Sequence, residues 1–338
     1  MSFHQKVFLF SGLLLMAAGF SGVYAGGNSE KNKPVFLPLE TPRAAVPGGA
    51  AESAPEIPAP IEPASPQERP GSRGEEVMRA LAAAYPDRIG PAEFRGGDWA
   101  VPLRGVWFYY ADGRLLPEEL REKAEEYDPQ PFYTYPGELP SWKAPTPEDS
   151  QRMRDMMERR RLRPAKRSQR FFDELWRAHS RDESWDRVKQ IRFLGHAVLV
   201  HYSILEELSL VEEQILNEAK TNAAVKQWIE GIKSVEGWNW RDIAATVSRS
   251  FHSYGAAIDI LPKSYGGAAT YWQWSARTNP EWWTIPYSRR FHPPQEVIEI
   301  FESFGFIWGG KWTTYDTMHF EYRPEIFFFS HLPLSEFR

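Results

Sequence analysis

The apolar positions of the chain fall into blocks of different period, and these blocks predict its organisation. Val7 to Phe20 is an apolar run of 14 residues, shorter than the ~20 a bilayer-spanning helix needs. Pro34 to Pro70 has no hydrophobic period. Glu75 to Tyr85 carries an apolar stripe at helical spacing, and Pro86 stops it. Trp107 to Tyr110, followed by Ala111-Asp112-Gly113, predicts a strand running into a turn. Leu116 to Tyr127 predicts a short helix. Glu148 to Arg161 and Phe171 to Trp176 read as helical, and so does the long span Val188 to Glu230, where Leu208, Val211, Ile215 and Ala219 share one face. Near the end of the chain the period changes to two. Gly255, which tolerates a tight turn best, leads into Ala256–Leu261. There Ile258 and Ile260 fit a buried face, with Ala257 and Asp259 on the other. Met318, Phe320 and Tyr322 share one strand face, with His319 and Glu321 opposite. Pro294 to Phe304 predicts a helix with Val297, Ile298, Phe301 and Phe304 on the core, its proline at the start and Gly305 at the end.

Four segments follow. Residues 1–25 combine Lys6, the apolar run and the small pair Val23 and Ala25 around Tyr24, the three-part pattern of a secretory signal peptide. The chain is therefore expected to be exported, periplasmic or extracellular, with no stable membrane span after cleavage. Residues 26–74 form a Pro-rich linker, with ten prolines between Pro34 and Pro70; proline fixes φ and removes backbone donors, so this stretch is an extended spacer. Residues 75–190 are an N-terminal helical and irregular extension, and residues 191–338 are the domain that carries the chemistry.

Composition narrows the chemistry. With no cysteine among 338 residues, a thiol nucleophile, an iron–sulfur cluster and a disulfide scaffold are excluded, and a metal must be held by His, Asp or Glu. Net charge is −5, which gives no electrostatic case for nucleic acid. Nine of the 19 residues from Arg152 to Arg170 are Lys or Arg; this run reads first as a solvated helix face with a basic linker, and otherwise as a contact for an anionic polymer. His196 and His201 are five apart, not the four that aims two imidazoles at one ion from one helix, and read as core or surface histidines.

The chemistry-bearing residues cluster in Ser250–Asp259 and Asp316–Tyr322. A turn at Gly255 folds His252 and Asp259 toward one point, and His319 completes a set of two imidazoles and one carboxylate. That set suits Zn²⁺ with a fourth position left to water. Asp316, three residues before His319, is placed to act as general base and later proton donor; alone it would read as a strand-initiating Asp. Tyr271, Trp272, Trp274, Trp282, Trp283 and Tyr287 crowd the segment between the two motifs and read first as its packing, and otherwise as the lining of a groove.

The pattern S-x-H-x-x-G-x-A-x-D, met by Ser250, His252, Gly255, Ala257 and Asp259, with the later Asp316-x-x-His319, resembles the signature of the VanY-like zinc peptidases. These comprise D-alanyl-D-alanine carboxypeptidases and dipeptidases and L-alanyl-D-glutamate endopeptidases. Gly305 to Trp312 is similar to the segment before the last ligand in the endopeptidase-like branch. The resemblance covers about residues 232–325 and does not extend to 76–190. It implies Zn²⁺ on His252, Asp259 and His319, Asp316 as the catalytic acid/base, and a peptidoglycan stem peptide as substrate. Many members have Glu where Asp316 stands, and some endopeptidase-type members have Asp. Arg241 looks like the family's arginine that steadies the substrate carbonyl or carboxylate; a surface salt bridge is its other reading. Ser250 reads either as a partner of a ligand or the substrate, or as a turn cap. The expected fold is α+β, a small antiparallel sheet carrying the metal and flanked by helices, of the LAS type. The expected function is D-alanyl-D-alanine carboxypeptidase; an L-alanyl-D-glutamate-type endopeptidase and a non-catalytic cell-wall-binding module are the alternatives.

Overall fold

Capping and turn chemistry set where the first elements begin and end in the computed structural model, which describes residues 71–139, 141–243 and 246–335. The signal-peptide and most of the linker assignments lie outside these residues. Helix α1 (Arg73–Ala84) begins two residues before the expected Glu75, because the Ser72 hydroxyl caps it, accepting from the Glu75 N–H at 3.2 Å. A four-stranded antiparallel meander follows: β1 (Glu93–Arg95), β2 (Asp98–Leu103), β3 (Val106–Tyr109) and β4 (Leu116–Pro117). The next turn-rich helix, Glu118–Glu126, is 3₁₀. Helix α2 (Pro147–Leu162) carries the first five of the nine basic residues behind a Thr146–Asp149 capping box and has no buried residue. Short helices α3 (Arg170–Trp176) and α4 (Arg181–Trp185) complete the first half.

The second half corrects one expectation. The span from Val188 is not helical at its start but forms the hairpin β5 (Val188–Phe193) and β6 (His196–His201). Its β-branched residues Val188, Ile191, Val198 and Val200 suit a pleated surface. Leu194 (φ 47°) and Gly195 (φ 84°) make the two-residue turn with both residues left-handed. Helices α5 (Leu205–Glu218) and α6 (Ala223–Glu230) then follow, as the period of Leu208, Val211 and Ile215 predicts.

The sheet that matters for function has the order β7–β8–β10–β9, all antiparallel. It consists of β7 (Ile232–Glu236), β8 (Ala257–Pro262), β9 (Phe306–Trp308) and β10 (His319–Tyr322). The one-turn helix α7 (Phe251–Tyr254) precedes β8, α8 (Trp272–Ala276) sits in the long connection, α9 (Gln295–Ser303) leads into β9, and α10 (Pro324–Phe329) follows β10. One face of the sheet packs on α9: the Phe301 and Phe320 rings stack with centroids 4.0 Å apart. The core runs without a break from Val77 in α1 to Phe327 in α10, so the first half of the described chain shares the interior of the second. The fold is thus mixed helix and sheet with small antiparallel sheets, as expected. Trp272, Trp282, Trp283 and Tyr315 form a second apolar cluster, against which Met153 and Met157 of α2 pack. The aromatic crowding is therefore mainly packing, with Trp274 left exposed. No helix among the described residues is long and apolar enough to cross a membrane.

Candidate metal centre

Gly255 creates the site. Its left-handed φ of 70° ends α7 and turns the chain straight into β8. A Cβ there would lie 2.7 Å from the His201 nitrogen of β6, so only glycine fits without displacing the hairpin. Ser250 is the N-cap of α7, its hydroxyl accepting from the His252 N–H at 3.3 Å. His252 is thereby fixed at the start of a turn clamped by the hairpin, where the His201 N–H donates to the Gly255 carbonyl at 2.8 Å.

The sheet register brings the second half of the set. His319 of β10 lies directly opposite Asp259 of β8, and such cross-strand pairs have their Cβ atoms about 5 Å apart. Potential ligand atoms of His252, Asp259 and His319 all lie within 4.8 Å of one another. His252 Nε2 is 3.2 Å from His319 Nδ1, and Asp259 Oδ1 is 2.8 Å from His319 Nδ1 and 3.2 Å from His252 Nε2. The outer nitrogens are engaged by acceptors. His252 Nδ1 lies 2.7 Å from the Gly237 carbonyl, and His319 Nε2 lies 3.1 Å from Glu321 Oε2. A carbonyl and a carboxylate only accept, so both outer nitrogens carry protons, and the Asp259 carboxylate likewise takes a proton from the inner His319 Nδ1, the proton that a metal would displace.

The electrostatics favour a cation. Burial alone would raise the Asp259 pKa, but the His252 and His319 imidazoles beside it hold the carboxyl well below the usual range. Burial alone would lower the His319 pKa, but its bonds to Asp259 and Glu321 lift it to about 10. Two carboxylates thus hold positive charge at this imidazole, as a proton or as a metal in its place. Two nitrogens and one carboxylate oxygen, each imidazole tethered by its outer nitrogen, fit the donor set of a zinc site with an open position.

The other predicted residues fall nearby. Asp316 stands where the chain enters β10, with its Oδ1 enclosed and without a hydrogen-bond partner. Burial, and then the Asp259 charge, push its pKa up to about 6. Tyr271 bridges to Asp316 through the backbone, and burial with that same carboxylate raises its phenol to about 12. Arg241 lines a cleft of about 410 Å³ together with His252, Asp259, Gly237 and Trp238. His201 is buried and bonds the Trp176 carbonyl at 3.0 Å, while His196 sits on the hairpin; neither joins the cluster. From the basic run, Arg160, Arg163 and Arg167 line a separate cavity of about 750 Å³ that also reaches Glu321 and Arg323. Sequence reasoning placed Glu321 on the face of His319 but gave it no role, and it missed the Gly237 carbonyl altogether. Charges alternating through His319, Glu321 and Arg323 in an otherwise apolar stretch were the available signal for Glu321. A backbone acceptor leaves no trace in side-chain pattern.

A family model described as a domain of unknown function (DUF8518) matches residues 77–132. Comparison with the curated proteins and with the solved structures gave no match. A second family model, described as D-alanyl-D-alanine carboxypeptidase, matches residues 244–322, the stretch that contains both motifs. The match over residues 244–322 supports the resemblance of the two motifs to the VanY-like D-alanyl-D-alanine carboxypeptidases.

Proposed function

We propose that this protein is an exported zinc peptidase that trims peptidoglycan stem peptides as a D-alanyl-D-alanine carboxypeptidase. The observation that carries the reading is the convergence of His252, Asp259 and His319 within 4.8 Å, with each imidazole tethered through its outer nitrogen. His252 Nε2, the Asp259 carboxylate and His319 Nδ1 would hold a zinc ion, which would supply a water of lowered pKa and polarise the scissile carbonyl.

The protein's own groups do the rest. Asp316 accepts a proton from water at its unpartnered Oδ1 and returns it to the leaving amine. A pKa near 6 keeps it ionised at neutral pH yet basic enough to hold a proton briefly. Arg241, on the wall of the cleft, offers a planar fork to the substrate carbonyl or terminal carboxylate. Ser250 acts by capping the turn that presents His252. An L-alanyl-D-glutamate-type endopeptidase is the second reading, favoured by an aspartate rather than a glutamate at position 316. Incubating the purified protein and zinc with defined stem peptides, and weighing the products, tests both. Loss of a terminal D-alanine supports the first and an internal cut the second. Neither product, or equal activity in Asp316→Ala, removes both. Sequencing the N-terminus of the secreted protein tests export.

A further inference from the structure

Four buried polar side chains behind the metal centre have no part in the reaction proposed above, and they form one continuous chain. Glu321 accepts from His319 through Oε2 at 3.1 Å and from Arg323 Nη1 through Oε1 at 3.2 Å. Arg323 gives its Nε–H to Glu325 Oε1, and Glu325 Oε2 accepts the Tyr85 hydroxyl at 2.8 Å. Each of the four carboxylate oxygens therefore has its own donor. Exposure is 8% at Glu321, 1% at Arg323, 0% at Glu325 and 2% at Tyr85, so the Glu325–Tyr85 end is closed to bulk water, while Glu321 and Arg323 edge the cavity described above. The guanidinium is further enclosed by the Phe172 and Phe251 rings, 5.4 and 4.7 Å from its carbon.

These side chains come from opposite ends of the described sequence. His319 and Glu321 are on β10, Arg323 caps α10, and Glu325 is in its first turn. Tyr85 is the C-cap of α1. It lies in the segment matched by the domain of unknown function and outside the peptidase match. An ion buried this deeply is tolerated only when it is paired and hydrogen-bonded. Two carboxylates around one guanidinium leave one net negative charge, and the His319 N–H and the Tyr85 O–H close its two ends. An imidazole that donates to a carboxylate is locked in one tautomer and one ring orientation, and its other nitrogen becomes a better metal donor.

We infer that Glu321, Arg323, Glu325 and Tyr85 are positioning residues that hold His319 Nδ1 toward a bound divalent cation, and that α1 of the N-terminal segment is the anchor of this device. The inference rests on the metal reading of the site. Under it, Tyr85 of the segment 77–132 completes the support of a metal ligand more than two hundred residues away in sequence.

The test measures metal affinity, with no substrate present. Full-length protein competes with a chromophoric chelator for Zn²⁺, and the Co²⁺-loaded protein gives a visible absorption band that reports ligand geometry. Four variants are compared with wild type: Tyr85→Phe, Glu321→Gln, His319→Ala and Val77→Ala. Val77 is fully buried in α1 and has no polar link to the site, so its variant reports what loosening α1 does by itself. Removing a group that orients a ligating histidine typically weakens metal binding about 10- to 100-fold, and that loss is expected for Glu321→Gln. Tyr85→Phe, two links further out, is expected to lose roughly three- to tenfold and to shift the Co²⁺ band. Val77→Ala should keep wild-type affinity and band even where its melting temperature falls as far as that of Tyr85→Phe. Wild-type affinity and spectrum in Tyr85→Phe, or an equal loss in Val77→Ala, overturns the inference while leaving the metal reading intact. Wild-type affinity in His319→Ala overturns the metal reading itself, and the inference with it.

Discussion

Replacing Asp316 with Asn is expected to make the metal-free protein more stable and the enzyme nearly inactive. Burial first, and then the Asp259 charge, raise the Asp316 pKa from 3.8 to about 6. The fold therefore binds this proton more tightly than the unfolded chain does. Below about pH 3 the carboxyl is protonated in both states and the folded state carries no penalty. As pH rises toward 6 the unfolded chain ionises first, and the cost of ionising the group within the fold accumulates until it levels off. At about 1.4 kcal/mol per tenfold change in proton affinity, the full cost is about 3 kcal/mol. That is a ceiling, because Oδ1 is enclosed while the residue as a whole remains partly exposed. The amide of the Asp316→Asn variant carries no charge and escapes the cost. Urea unfolding of chelator-treated wild type and variant, followed by fluorescence of the 14 tryptophans, should show the variant ahead at pH 7 and level with wild type by about pH 3. Equal stability at pH 7, or a gap that persists at about pH 3, refutes the reasoning. The same variant should lose about 10²- to 10⁴-fold in hydrolysis, the usual contribution of a general base.

Three further outcomes follow from the same geometry. Hydrolysis should fall off as pH drops through the Asp316 pKa, because protonation removes the base; the midpoint should lie at or below about 6, since a bound cation offsets the Asp259 charge that raises it, and a midpoint above 7 in the kcat/KM profile would contradict this. Chelation should abolish activity and lower Tm, and at a free zinc concentration about 100 times Kd restoring the ion should return about 2.7 kcal/mol of stability; scanning calorimetry with and without zinc measures it, and identical transitions would count against the site. Gly237→Ala puts a Cβ 2.1 Å from the Leu199 carbonyl oxygen, an overlap that costs about 1–3 kcal/mol through backbone shifts; because it moves the carbonyl that holds His252 Nδ1, zinc affinity should fall as well, and a drop in Tm without a drop in affinity would separate the two effects.

The sequence is most legible where a single local rule decides the structure. The turn at Gly255, the strand after it, the facing of His319 and the helix over Pro294–Phe304 follow from one glycine or one period, and all are present. The hairpin over Val188–His201 departs from the helical expectation because six-residue segments with three or four apolar positions fit either a helix or a strand, and its turn signal is the single Gly195. The support of the site is hardest to read. A carbonyl from Gly237 and a hydroxyl from Tyr85 reach the centre only through tertiary folding. The basic run shows both limits: α2 is solvated as its composition suggests, yet Arg160, Arg163 and Arg167 turn to a cavity that no periodicity announces.

The strand order β7–β8–β10–β9 has a consequence for how the molecule comes into being. The strand that joins β8 to β9 within the sheet is the last of the four to emerge in synthesis. Until β10 arrives, β8 and β9 each present an open edge that can pair with another chain, and Asp259 and His252 have no third partner. Pairings of such long sequence separation are slow to form, so assembly of this sheet is a late and exposed step. On the proposed reading, the three ligands can hold a metal only after that step.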